Sequence, residues 1–160
     1  MFATPLARLV ASAALAITVT SSALAFDASS PAPVNVDTAG VTLKGHDPVA
    51  YFTDGAATPG SGDFTAEYDG AVYQFASAGN RDAFLADRYA PAYGGFCAMA
   101  MSLGYKVDID PNAWRIVDET LYVQASPRAT EVWERDVPGN IAKADTFWPE
   151  VMNVPPADLQ

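Results

Sequence analysis

The sequence predicts a small α+β domain in which antiparallel β-hairpins pack against short helices. Three observations lead to this class. One hairpin pattern surrounds Asp69-Gly70, a second surrounds Asp118-Glu119, and stretches with helix-start signals follow each of them. Strand patterns and helix patterns that follow one another at this short spacing indicate a single mixed domain.

The first hairpin is the clearest local pattern in the chain. An Asp-Gly pair between alternating residues is typical of a two-residue type I′ turn, in which both residues have positive φ. Pairing across the turn gives one apolar face, with the pairs Tyr68/Ala71, Ala66/Tyr73 and Phe64/Phe75. The opposite face is mostly polar, so burial of one face is expected to fix the register.

The second hairpin is predicted in the segment "AWRIVDETLYVQ". A turn at Asp118-Glu119 again gives one apolar face, with the pairs Ile116/Leu121 and Trp114/Val123. Glutamate is a poor residue for a position with positive φ, so a longer loop is the alternative.

Three short helices are predicted from capping residues and apolar spacing. The first is N-capped by Ser77 and runs to Asp87. The second covers residues 127–135 behind a helix-compatible proline, and the third covers residues 139–151 and ends or kinks near Pro149. Their inward apolar residues are expected to be Phe84 and Leu85 in the first, Val132 and Trp133 in the second, and Ile141, Phe147 and Trp148 in the third.

Residues 1–25 have the layout of a secretory signal peptide. One positive charge, Arg8, precedes an apolar run over residues 9–19, and residues 23–25 (Ala-Leu-Ala) form a small-x-small cleavage site. The apolar run is too short to span a bilayer. The sequence therefore predicts an exported protein with no membrane insertion after cleavage, periplasmic if the source is a Gram-negative bacterium. An uncleaved N-terminal anchor is the alternative.

The rest of the chain divides into three parts. Residues 26–38 are rich in proline, serine and alanine and are expected to form a flexible linker. Residues 39–152 hold all the hairpin and helix patterns and form the domain. Residues 153–160 are expected to form a disordered tail.

The charge of the chain is strongly negative. Nine basic and 19 acidic residues give a net charge of −10, and removal of Arg8 with the leader makes it −11. An acidic surface repels nucleic acid and anionic lipid and attracts cations, so nucleic acid is excluded as a partner. Solubility alone is the simpler explanation of this charge.

The segment "YGGFCAMAMSLG" contains the only cysteine, and its sulfur pattern is Cys97-x-Met99-x-Met101. Thiolate and thioether sulfurs are soft ligands that favour Cu(I). Along a strand all three would share one face, whereas along a helix only Cys97 and Met101 stack. Helix-forming residues and a stop at Gly104 favour the helix, which separates Met99 from the other two sulfurs.

A helix leaves three roles open for Cys97. Near a helix N-terminus the dipole lowers the pKa of a thiol, which would give a reactive thiolate or a copper ligand assisted by Met101 and an imidazole. The third role is packing, because free cysteine and methionine are usually core residues. Core packing is also the default for six aromatic residues that could instead line a pocket near the thiol: Tyr51, Tyr73, Tyr89, Tyr93, Phe96 and Tyr105.

His46 is the only histidine, so every role that needs an imidazole falls to it. Beside Asp47 it could bind copper or zinc, with the carboxylate as a second ligand or an orienting group. It could also be an aromatic replacement with no new function. A pair formed by Cys97 and His46 would have the chemistry for nucleophilic catalysis, but the sequence carries no oxyanion-hole or orienting motif.

The chain resembles the YHS domain proteins, in their exported single-domain branch. The residues that carry the resemblance cover nearly all of the chain after the leader, in the expected order: "LKGHDPVAYF" (43–52), "YDGAVYQFAS" (68–77), "NRDAFLAD" (80–87), "YGGFCA" (93–98), "DPNAWRIVD" (110–118) and "DVPGNIAKAD" (136–145). The resemblance implies the same small α+β fold.

The resemblance also implies where a metal site would be expected. In the branch attached to metal-transporting ATPases, three cysteines are thought to bind metal. Aligned with those cysteines, this chain has Ala50, Ala76 and Asn80. The resemblance therefore argues against that thiolate site in this protein.

These observations predict an exported, non-catalytic binding module. Its ligand is expected to be a soft metal, copper first, or a small molecule near Cys97, with Met101 and His46 as the other metal ligands. One alternative is a metal-free module that interacts with another exported protein, and another is thiol-dependent chemistry at Cys97. A ligand site requires an accessible sulfur, whereas an interaction module would bury the thiol and expose an apolar patch.

Overall fold

Two antiparallel two-stranded sheets and a series of short helices make up the part of the chain that the computed structural model describes, residues 25–84 and 88–159. The predicted α+β class is confirmed. Its elements are α1 (Ala50–Thr53), β1 (Ser61–Tyr68), β2 (Ala71–Phe75), α2 (Ala78–Phe84), α3 (Ala98–Met101), β3 (Asp110–Val117), β4 (Thr120–Gln124), α4 (Pro127–Trp133) and α5 (Val137–Val151). Single 3-10 turns are formed by Leu43–Gly45, Ala92–Gly95, Glu134–Asp136 and Pro156–Leu159.

The first hairpin has the predicted turn and most of the predicted register. Asp69 and Gly70 have φ values of 51° and 78°, as a type I′ turn requires. The pairs Tyr68/Ala71 and Ala66/Tyr73 are confirmed. The pair Phe64/Phe75 is wrong, because residues 62–64 bulge out and Ser61 lies opposite Phe75. Phe64 nevertheless packs against the core.

The second hairpin confirms the predicted two-residue turn. Asp118 and Glu119 have φ values of 48° and 60°, and Ile116 pairs with Leu121 and Trp114 with Val123. Between Asp110 and Trp114, β3 bulges as β1 does in the first hairpin, and Asp110 pairs with Gln124. Pro111 lies in this bulge, where the N–H that proline lacks is not needed by the ladder.

We expect Glu119→Gly to stabilise the protein. Glycine adopts positive φ at no steric cost, so the change should raise the free energy of unfolding by about 0.4–1 kcal/mol. Urea denaturation of wild type and variant measures the difference. The matched control is Glu67→Gly, at an exposed position inside β1, which should lower stability. Equal losses in both variants would contradict the assignment of strain to the turn.

The helices begin close to the predicted positions. Ser77 Oγ accepts a hydrogen bond from the backbone N–H of Asn80 at 3.1 Å, which confirms it as the N-cap of α2. Phe84 is buried as predicted, whereas Leu85 and the predicted end at Asp87 lie outside the described residues. The predicted signal peptide, apart from Ala25, also lies outside them.

The last two helices each begin behind a side-chain N-cap, and only α5 starts at a different residue from the one predicted. Pro127 begins α4 behind Ser126, whose side chain accepts the N–H of Ala129. Asp136 caps α5, which therefore starts at Val137, earlier than predicted, and ends two residues after Pro149. Of the residues expected to face inward, Trp133 is buried, Val132 is half-buried, and Ile141, Phe147 and Trp148 pack against the core.

The core consists of two hydrophobic clusters. The first lies between the two hairpins and includes Tyr73, Phe75 and Leu121. The second lies between β4, α4 and α5 and includes Tyr122 and Trp133. Because successive residues of β4 enter different clusters, this strand is buried on both faces and joins them.

The two terminal segments are packed against the domain, contrary to the expectation of a flexible linker and a disordered tail. In residues 26–38, here called the N-terminal arm, Val34 and Val36 are buried in the first cluster. In the predicted tail, residues 153–160, Pro156 is buried; the described residues 152–159 are here called the C-terminal tail. The composition of these segments predicted flexibility because it did not show that apolar residues within them reach the core.

A buried lysine connects the arm and the tail. The ammonium of Lys106 donates to the carbonyl oxygens of Ala32, Met152 and Val154 at 3.1, 3.0 and 2.8 Å. It also lies 4.7 Å from the centre of the Phe96 ring. Lys106 is only 3% exposed, and burial lowers its pKa to about 8.

Candidate functional site

The sulfur-containing segment forms a short helix at the junction of the two clusters. Cys97 is the N-cap residue of α3, and its backbone N–H donates to the carbonyl of Val107 at 3.0 Å. Its side chain belongs to the first cluster, whereas Met101 belongs to the second. Met99 packs against both. The segment is helical over residues 98–101, as predicted, but Cys97 precedes the helix and enters a different cluster from Met101.

Gln124 holds the thiol and the helix together. Its side-chain oxygen accepts the backbone N–H of Met99 at 2.9 Å and lies 3.4 Å from Cys97 Sγ, which donates its proton. Gln124 is fully buried at the end of β4, and its Nε2 has no partner among the described residues. This residue was missed at the sequence level, since nothing in "YVQAS" marks a glutamine as buried.

The environment of Cys97 differs from that of an activated cysteine. The residue is 1% exposed, and burial raises the pKa of its thiol. The helix that it caps has only four residues. The predicted lowering of the thiol pKa by a helix dipole is therefore wrong, because burial outweighs the dipole.

We expect Cys97 to alkylate slowly in the native protein. Reaction with iodoacetamide should be at least about 100-fold slower than in guanidinium chloride, since the thiol reacts only after local opening. The native rate should keep rising with pH beyond about 8.5, the ordinary cysteine pKa at which the unfolded rate levels off. Mass spectrometry follows the reaction, and Cys97→Ala gives the blank. Equal native and unfolded rates would contradict the burial.

His46 lies in an irregular segment beside the 3-10 turn Leu43–Gly45. Its Nδ1 is 3.2 Å from the carbonyl oxygen of Leu43 and 3.3 Å from that of Lys44. Because carbonyl oxygens only accept, Nδ1 carries a proton and Nε2 is the nitrogen left to bind a cation. The partners of His46 are thus main-chain groups of its own turn, whereas the thiol of Cys97 is bonded to Gln124.

Asp47 is fully buried, and its carboxylate connects three parts of the first half of the fold. Oδ1 accepts the backbone N–H of Val49 at 2.8 Å and lies 3.4 Å from that of Ala50, at the start of α1. Oδ2 accepts from the backbone N–H of Ala76 at 2.9 Å and from Asn80 Nδ2 at 2.6 Å. The carboxylate therefore joins α1, the end of β2 and α2.

The three positions that the predicted YHS resemblance aligns with metal-binding cysteines lie around this one carboxylate. Ala50 and Ala76 contribute backbone N–H groups, and Asn80 contributes an amide donor. Donors of this kind do not fit a soft metal, which requires thiolate or thioether ligands. Within residues 25–84 and 88–159, no group of three or more His, Cys, Asp or Glu side chains is placed to hold a metal ion.

We expect Asp47→Ala to destabilise the protein by about 3 kcal/mol, because two buried and two part-buried donors lose their acceptor. Thermal and urea unfolding measure this loss. The matched control is Asp54→Ala, at an exposed position at the end of α1, which should cost no more than about 0.5 kcal/mol. A similar small cost for both variants would contradict the bridging role of Asp47.

Three large apolar side chains are exposed just after α3. Leu103, Tyr105 and Val107, here called the apolar stripe, are 58%, 46% and 40% exposed. Lys106 lies between the last two and points inward. Tyr105 was expected to be a core residue like its aromatic neighbours, so the stripe is the feature that sequence reasoning missed.

Surface clefts lie elsewhere in the described part of the chain. One of about 280 Å³ is lined by Phe52, Arg88, Ile116 and Glu119. Another of about 220 Å³ is lined by residues of β3, α4 and the 3-10 turn that follows α4, among them Arg115, Glu131 and Glu134. Neither cleft is lined by Cys97, Met101 or His46.

Comparisons with protein-family models, with curated proteins and with solved structures gave no match for this chain. The resemblance to YHS domains therefore remains a prediction that depends on the quoted motifs. None of the helices in the described ranges has the length and hydrophobicity needed to cross a membrane.

Proposed function

We propose that this protein is an exported, non-catalytic module that binds another exported protein through the apolar stripe. One observation carries the proposal. Leu103, Tyr105 and Val107 are exposed together within five residues, while the nearby thiol of Cys97 is 1% exposed. An interaction module was expected to show this combination of a buried thiol and an exposed apolar patch. Contiguous exposed apolar surface is a common mark of a binding site, whereas single scattered side chains are not.

The charge of the chain supports a partner that carries basic residues. Of its basic residues, Lys44, Arg81, Arg115 and Arg128 are in ion pairs with carboxylates, and Lys106 is buried. Each of these pairs also neutralises one carboxylate, so it is the net charge of −10 that makes the surface negative. A second copy of the chain would be repelled, whereas a partner with basic residues beside apolar ones would be attracted.

Site-specific photo-crosslinking tests the proposal. The photoreactive amino acid p-benzoylphenylalanine replaces Tyr105 in the full chain, in the cells that produce it. The expected result is one discrete adduct whose cross-linked peptide is basic. The control places the same group at Tyr68, which is 40% exposed on the first hairpin, and should give no such adduct. Identical adducts from both positions, or none from Tyr105, would overturn the proposal.

A copper titration separates this function from the copper-binding alternative. The protein and its Cys97→Ser and His46→Ala variants are titrated with Cu(I) against a competing chelator. Equal, weak binding in all three is expected, because the thiol is buried and already hydrogen-bonded to Gln124. Stoichiometric binding that Cys97→Ser abolishes would instead make the protein a copper carrier.

A further inference from the structure

The arm and the tail meet at one side chain, although neither segment belongs to a regular sheet or long helix. Lys106 uses all three of its N–H donors on main-chain carbonyls, one in the arm and two in the tail. Met152 caps the end of α5 and Val154 lies just beyond it, so the ammonium also neutralises carbonyl groups at a helix C-terminus. No carboxylate among the described residues forms an ion pair with Lys106. Its hydrogen bonds to these two segments therefore offset the free-energy cost of burying its charge.

We propose that Lys106 is a latch that holds the arm and the tail as a single strap, so that the two segments open and close together. The proposal does not depend on the docking function of the stripe. It makes the strap one cooperative unit in which the loss of either segment weakens the other, because both use the same buried charge.

Other contacts connect the two segments to each other and to the domain. The backbone N–H of Ala157 in the tail donates to the carbonyl of Ala28 in the arm at 2.9 Å. The arm is fixed at its other end by the N–H of Asn35, which donates to the carbonyl of Gly94 at 2.8 Å. The strap therefore forms a closed chain of contacts, and Lys106 supplies its buried positive charge.

Opening the strap would expose a second apolar surface. Phe96 lies under the strap, where the ring of Phe26 meets it edge-on at 6.4 Å and Lys106 covers its face. On the other side Phe96 contacts Trp148, which is only half-buried. Release of the arm would thus join Phe96 to the exposed part of Trp148, close to the backbone that carries the apolar stripe.

Hydrogen exchange measured by NMR or mass spectrometry on the full chain tests the latch with Lys106→Met. The amides of Asn35 in the arm and Ala157 in the tail should both exchange at least about 10-fold faster than in wild type. Amides in the hairpins, such as Tyr73, should keep their wild-type rates. The matched control is Lys143→Met, at an exposed lysine on α5, which should change none of these rates.

A second variant tests the coupling without touching the latch. Gly94 has a φ of 60°, and a Cβ there would overlap the carbonyl oxygen of Pro33, so Gly94→Ala must displace the arm. The amide of Val154, which donates to the carbonyl of Val151 and not to the arm, should then exchange faster, because the displaced arm no longer holds Lys106 in place. Faster exchange in the arm alone would overturn the proposal. Equal acceleration of the hairpins in Lys106→Met would also overturn it, since Lys106 would then support the whole core.

Discussion

The fold depends on the packing of two small hydrophobic clusters against each other, and α3 is where they meet. Cys97 enters one cluster and Met101 the other, while Met99 touches both. A polar side chain, Gln124, holds the helix in place because its oxygen accepts hydrogen bonds from the backbone N–H of Met99 and from the thiol of Cys97. Sulfur-containing side chains suit this position because they are polarisable and fill irregular gaps. The sulfur pattern that suggested a soft-metal site therefore has a packing role that accounts for its burial.

Features set by neighbouring residues could be predicted from the sequence, and features set by distant ones could not. The turn at Asp69-Gly70 and the N-cap at Ser77 need only local chemistry, so both were predicted. The carboxylate of Asp47 is satisfied partly by Asn80, 33 residues away, and Lys106 reaches across 74 residues to Ala32. The spacing of apolar and polar residues along the sequence does not indicate which distant residues form hydrogen bonds with each other. The arm was therefore predicted as a flexible linker although it is part of the folded domain.

The same limit applies to the candidate site. The helical spacing of Cys97 and Met101 followed from local propensity, whereas their burial depends on β4 and α5, which are far away in the sequence. The exposure of Tyr105 could not be predicted either, because an aromatic residue near other aromatic residues is expected to be buried with them. Only the folded chain shows that the segment after α3 alternates between outward apolar side chains and the inward Lys106. The docking proposal depends on that alternation and on the acidic charge.

The hydrogen bond between Ala28 and Ala157 brings the two ends of the described chain side by side. Folds whose chain ends are adjacent often accept circular permutation, in which the old ends are joined and new ends are opened elsewhere. A short peptide joining the tail to the arm would preserve the existing contacts, and new ends could be opened at an exposed turn such as Asp69-Gly70. The close approach of Ala28 and Ala157 is therefore compatible with a different order of the same elements along the chain.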